Sequence, residues 1–221
     1  MKPEVLTFDC YGTLIDWSAG IVGAFQSEAA RDGVRLDADR ILEAHARIER
    51  ALEAEPYRPY REILALVAER VARELGWTIE SERARFLPDS LPRWRPFPDT
   101  NAALRRLRAR HRLAILSNVD DDLLAGTLRH LDVDFAFTVT AQQVHSYKPS
   151  HAHFEEALRR AGGRERILHV AQSLYHDVAP AKALGLPVVW VNRRGERRPP
   201  EVPAPERTVE DLAALADALD A

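Results

Sequence analysis

The chain has 221 residues, 46% of them hydrophobic, which is enough for one substantial core plus a smaller insertion. A net charge of −3 with a pI near 6.3 offers no excess of positive charge to a phosphate backbone and argues against nucleic-acid binding. No apolar run is long enough to span a membrane, the N-terminus lacks a signal-peptide core, and the single cysteine, Cys10, excludes an intramolecular disulfide; these features predict a cytoplasmic protein with no membrane partner.

The first predicted element is the strand Val5–Phe8, an apolar run that stops at Asp9 and the turn-forming Tyr11-Gly12-Thr13. A carboxylate at the end of a buried strand is costly unless it has a task or a partner. Cys10, beside it, reads as a packing residue. From Asp16 to about Pro96 only helix-period segments occur, such as "ADRILEAHARIERALEAE" and "YREILALVAERVARELG", punctuated by "AEPYRPY" and "PRWRPFPDT". Beyond Pro98 the pattern alternates: a helix, a strand at 111–117, a helix, a strand at 135–140, a helix at 150–161, a strand at 166–172, a helix at 178–185, a strand at 187–192 and a final helix from about Thr208. The proline-rich "RRGERRPPEVPAPE" between the last two elements reads as a solvated, mobile loop. Buried strands alternating with helices predict an α/β fold, a Rossmann-like parallel sheet flanked by helices. The core is assigned to 1–15 and 97–221, and a helical cap to 16–96.

Ligands of open parallel sheets bind beyond the carboxyl ends of the strands. Those positions hold Asp9, then Ser117 and Asn118, then Lys148, then Gln172, Ser173 and Asp177. Lys148 draws attention because the chain has 31 Lys and Arg but only three lysines, Lys2, Lys148 and Lys182. Lys182 lies in a helical "AKALG" and reads as surface; Lys148 precedes a proline after a predicted strand.

In order, "DCYGTL", "LSN", "YKP" and "QSLYHD" resemble the four motifs of the haloacid dehalogenase superfamily, and the resemblance covers the whole chain, cap included. The phosphatases of that superfamily carry an acid two residues after the nucleophilic aspartate, which protonates a basic alkoxide leaving group; here the position is Tyr11. Halide is a weak base and needs no such proton. The Asp-x-Tyr-Gly-Thr pattern is similar to the type II 2-haloacid dehalogenases. The resemblance therefore implies a hydrolase acting on a short, anionic 2-haloacid through an ester on Asp9. Thr13 and Ser117 would hold Asp9 or the substrate carboxylate, and Lys148 would keep Asp9 ionised. Tyr11, Asn118, Ser173 and the cap residue Arg40 would contact substrate or halide. Asp177 would pair with Lys148 or activate the hydrolytic water. Dimers are common among such relatives, so a homodimer is the assembly this resemblance suggests.

No cofactor is expected, because Gln172 and Ser173 occupy the Gly-Asp positions that support magnesium in the phosphatases. The alternative is a phosphatase with Mg2+ at Asp9 and Asp177 and a displaced acid such as His176 or Asp16. A non-catalytic anion-binding relative is the third reading. It rests on Leu174 in place of a motif asparagine and Ile41 at the position of the halide-capturing arginine; Phe154 also stands in place of a tyrosine. His151 and His153 read as cap or surface groups and His176 as a loop-edge histidine. Tyr57, Tyr60, Trp77 and Trp94 read as packing residues with a lesser claim to line a cleft.

Overall fold

A computed structural model describes residues 3–220 of the chain; Lys2 lies outside them. In chain order the elements are β1 (Val5–Phe8), α1 (Trp17–Ala30), α2 (Ala38–Glu53), α3 (Tyr60–Glu74), α4 (Phe86–Ser90), α5 (Thr100–Arg108), β2 (Arg112–Ser117), α6 (Asp121–Leu128), β3 (Phe137–Thr140), α7 (Ala141–Val144), α8 (Ala152–Ala161), β4 (Ile167–Ala171), α9 (Ala179–Ala183), β5 (Val188–Val191), β6 (Arg207–Val209) and α10 (Leu212–Asp220), with short 3-10 and π turns between some of them. They form two compact units. One holds the chain through Ile15, Pro96–Asn118 and everything from His130 onward; the other holds Asp16–Arg95 and Val119–Arg129.

The first unit is a six-stranded sheet in the order β3-β2-β1-β4-β5-β6, every pair parallel. β1 and β4 are buried along their whole length, as expected where helices cover both faces of a parallel sheet. The strand order reverses between β1 and β4, the switch point at which the crevice of such sheets opens. The C-terminal boundary differs most from the sequence expectation: Thr208 lies in the edge strand β6 and the last helix begins only at Leu212. Three residues with two exposed side chains give no periodicity to detect; pairing with β5 makes the strand.

The second unit is helical. Asp16 and Asp37 cap α1 and α2 by accepting from the backbone N–H groups of Ala19 and Arg40, so Asp16 is engaged as a cap. Ile41, Ile48, Ile63, Leu64 and Val67 are buried there, whereas Arg40 is exposed. Three of the aromatic residues singled out above have hydrogen-bond partners: Trp77 Nε1 donates to Asp32, Trp94 Nε1 to Ser90, and the Tyr60 hydroxyl to Glu49. The segment 119–129, which the sequence places in the core, joins this unit because Asp120 accepts from the backbone N–H groups of Tyr60 and Arg61 at 2.8 and 2.9 Å. It thereby caps α3, which follows Pro59 and has no cap of its own.

Candidate active site

All C-terminal strand ends of the parallel sheet lie on one edge, and the two strands at the switch point supply the carboxylates. Asp9 follows β1, and its backbone N–H donates to the Val170 carbonyl of β4 at 3.1 Å. Gly12, at φ 100°, turns the chain back in a conformation that disfavours a side chain. The N–H groups of Leu14 and Ile15 then both reach the Cys10 carbonyl, at 2.8 and 3.0 Å. This loop brings the Thr13 hydroxyl to 2.8 Å from Asp9 Oδ2, to which it donates, while it accepts from the Gln172 backbone N–H at 2.9 Å. One hydroxyl thus ties the β1 loop to the β4 loop. Arg193 secures the same turn, donating from Nε and Nη2 to the Thr13 carbonyl at 3.2 and 2.9 Å. It is paired with Asp99 and stacked 3.9 Å over Phe97. Arg193 opens the segment that the sequence reading takes for a mobile loop; its partners are far away in sequence, so nothing local announces it.

Lys148 is fully buried, and its Nζ uses all three protons: to Asp9 Oδ1 at 2.9 Å, to the Leu116 carbonyl at 2.9 Å and to Asp177 Oδ1 at 2.7 Å. Its backbone is clasped by the Asn118 side chain, whose Oδ1 accepts from the Lys148 N–H at 2.7 Å while Nδ2 donates to the Lys148 carbonyl at 3.1 Å. Asn118, expected as a donor to substrate, thus also holds the lysine backbone. Lys182, by contrast, pairs with Glu206 near the surface.

Asp177 sits in a π-helical turn, Leu174–Val178, a rare geometry that recurs at functional sites. Its Oδ1 also lies 3.1 Å from His169 Nε2, and His169 Nδ1 lies 2.9 Å from the Thr7 hydroxyl. A carboxylate cannot donate, so Nε2 carries the proton; in the neutral ring Nδ1 accepts from Thr7. Asp177 Oδ2 is buried and accepts from no described group.

Two carboxylates thus share one ammonium. Burial opposes the charge of every member. At Asp177 the charge of Lys148 and the N–H of His169 overcome burial and hold the carboxyl well below the usual range. At Asp9 burial, reinforced by the charge of Asp177, outweighs Lys148 and Thr13 and pushes the carboxyl up. The two aspartates hold the Lys148 ammonium well above its ordinary value despite burial. Cys10 is buried beside Asp9, and burial pushes its thiol well up, as suits a packing residue.

Ser117 Oγ is buried with no hydrogen-bond partner among the described residues, so it is not bonded to Asp9. Ser173 caps the π turn, accepting from the His176 N–H at 3.0 Å, with its hydroxyl 3.2 Å from His176 Nδ1. Tyr11 is half-buried at the nucleophile turn. His153, read as a surface or cap group, is instead wholly buried, with Nε2 3.2 Å from the Ser117 carbonyl; burial and the nearby Lys148 charge lower it to about 3. Thr7, His169 and Arg193 were not singled out from sequence. The histidine did leave a signal, a polar residue inside the apolar run "ILHVA". Among the described residues no three His, Cys, Asp or Glu side chains are gathered as metal ligands.

The sequence profile of the haloacid dehalogenase-like hydrolases matches residues 3–185. The chain is 30% identical to (S)-2-haloacid dehalogenase H-109 of Pseudomonas putida, over 98% of both chains. It is also 30% identical to haloacetate dehalogenase H-2 of Moraxella sp. (strain B), over 88% of both. The fold matches that of the L-2-haloacid dehalogenase of Xanthobacter autotrophicus solved with chloropropionic acid covalently bound, with a TM-score of 0.86 at 18% identity over 99% of this chain and 98% of that one.

Proposed function

The chain belongs to the haloacid dehalogenase-like hydrolases, and on that premise we propose that it cleaves the carbon–halogen bond of a short 2-haloacid through a covalent ester on Asp9, without a metal. The observation that carries this reading is the ammonium of Lys148 held between Asp9 Oδ1 and Asp177 Oδ1, with Tyr11 where a phosphatase would need an acid.

A carboxylate oxygen of Asp9 attacks the carbon that bears the halogen; the C–O bond forms as the carbon–halogen bond breaks, and halide leaves with the bonding pair. In-line displacement inverts that carbon. Water then adds to the carboxyl carbon of Asp9, giving one proton to Asp177. The tetrahedral adduct expels the substrate oxygen, which takes that proton and departs as the hydroxy acid. Asp9 returns to carboxylate by releasing the water's second proton to solvent. Lys148 and Thr13 keep Asp9 aimed, Asp177 Oδ2 is the acceptor for the water, and the unpartnered Ser117 hydroxyl is a donor for the substrate carboxylate.

The residues do not fit magnesium. That ion requires several hard oxygen ligands in octahedral array. Here the facing oxygens of Asp9 and Asp177 accept from Lys148, Gln172 and Ser173 replace the supporting pair, and the Ser173 oxygen caps a helical turn. The deciding experiment is a panel of chloro-, bromo- and fluoro-2-alkanoic acids beside an aryl phosphate, each with and without EDTA. Halide release indifferent to chelator is expected. Hydrolysis of the phosphate alone, lost in EDTA and restored by magnesium, would overturn the reading.

A further inference from the structure

We propose that His169, braced by Thr7, is a positioning residue for the hydrolytic half of the reaction: it holds Asp177 so that the second carboxylate oxygen, Oδ2, is presented to the water that opens the ester. This rests on the reading of Asp9 as an esterified nucleophile.

Thr7 and His169 are register partners on the adjacent strands β1 and β4, so their side chains share one face of the sheet, where both are wholly buried. Leu168 and Val170 flank the histidine in the strand, and Phe154 packs edge-to-face on its ring at 5.3 Å. An apolar ring would fill such a place without the cost of desolvating an imidazole. What the histidine adds is a chain of hydrogen bonds, Thr7 to His169 to Asp177, with every member fully buried.

A single donor leaves a carboxylate free to rotate about its own axis. Here two donors from different elements meet on one oxygen, Lys148 Nζ at 2.7 Å and His169 Nε2 at 3.1 Å, which sets the carboxylate plane and leaves Oδ2 without a donor among the described residues. The Thr7 hydroxyl keeps the ring in the Nε2-protonated tautomer that can donate to Asp177. Asp9, the nucleophile of the first step, has its own donors in Lys148 and Thr13 and no direct bond to His169. The two steps should therefore separate when His169 is changed.

Rapid-quench measurement of halide release and product formation from a 2-haloacid tests this, with mass analysis of the peptide that contains Asp9. In His169→Phe the first equivalent of halide should appear at close to the wild-type rate. Steady-state kcat should fall about 10- to 100-fold, the scale of a misplaced reacting group, and ester should accumulate on Asp9. His169→Gln, which keeps an N–H donor, should recover part of kcat. Thr7→Val, nearly isosteric, should show the same pattern more weakly, and carries the test if His169→Phe does not fold. A burst and kcat that fall together, or a kcat left unchanged in both variants, would overturn the inference while leaving the dehalogenase reading intact. Absence of halide release from the wild-type protein would remove that reading and this inference with it.

Discussion

Lys148 is the residue on which the site turns. Removing one partner of a buried ionic cluster costs about 3–5 kcal/mol, because the charges left behind are unpaired. Lys148→Met should therefore both lower stability and abolish activity, since Asp9 and Asp177 would relieve their repulsion by taking up a proton. Lys148→Arg should not restore turnover, because a planar fork cannot deliver three donors to Asp9, Asp177 and the Leu116 carbonyl from one point. Lys182→Ala, at an ion pair near the surface, should change stability by less than about 1 kcal/mol. Thermal unfolding and halide release on the three variants check the contrast, and similar losses at 148 and 182 would contradict it. Asp9 must be ionised to attack, and its carboxyl is pushed up by burial and by the charge of Asp177. Activity should therefore disappear as pH falls through that raised value. The acid limb of kcat/KM should have its midpoint above the ordinary aspartate value of about 3.9; a midpoint below it would show that Lys148 and Thr13 outweigh burial.

At the level of elements, the strand ends were readable because each is an apolar run that stops at a polar residue. Asp9 follows β1, Ser117 ends β2 and Asp177 lies in the turn beyond β4, and the sheet brings them to one edge. What joins them is less visible. The partnership of Thr7 with His169 depends on the register of β1 against β4, and that of Arg193 with Thr13 spans 180 positions; no local pattern encodes either. The same holds for α3, whose N-terminus follows a proline and is capped by Asp120 from a distant segment. Asp120→Ala should lower stability by about 1–2 kcal/mol through the lost cap, measurable as a shift in the urea midpoint without a change in slope. Unchanged stability would mean that water satisfies the Tyr60 and Arg61 N–H groups equally well.

For the molecule as a whole, buried histidines contribute to the response to acid. His153 is lowered to about 3 from 6.5, by burial first and then by Lys148; His45, wholly buried in the helical unit, is also lowered by burial. The unfolded chain binds a proton at His153 below its ordinary value, and the native state refuses it until about 3; His45 acts in the same direction. Stability should therefore fall as pH drops from 6.5 toward 3, by up to about 1.4 kcal/mol per pH unit for His153. His153→Gln, which retains a donor for the Ser117 carbonyl, should remove about one such increment from the slope of unfolding free energy between pH 6 and 5; an unchanged slope would mean that His153 does not control it. The architecture itself was legible in the alternation of apolar runs and helical periods. The buried place of His153 was not, because "SHAHFEE" looks like a solvated helix start until β2 supplies the Ser117 carbonyl beneath it.

The central claim, that Asp9 forms an ester opened at its own carboxyl carbon, is tested most directly by a single turnover in oxygen-18 water with enzyme in excess over a 2-haloacid. The oxygen transferred to product is then an old aspartate oxygen, and the new one remains on the enzyme. The expected result is one labelled oxygen in the peptide containing Asp9 and an unlabelled hydroxy acid. Label in the hydroxy acid with none on that peptide would mean that Asp9 directs water onto the substrate carbon, and would contradict covalent catalysis by this chain.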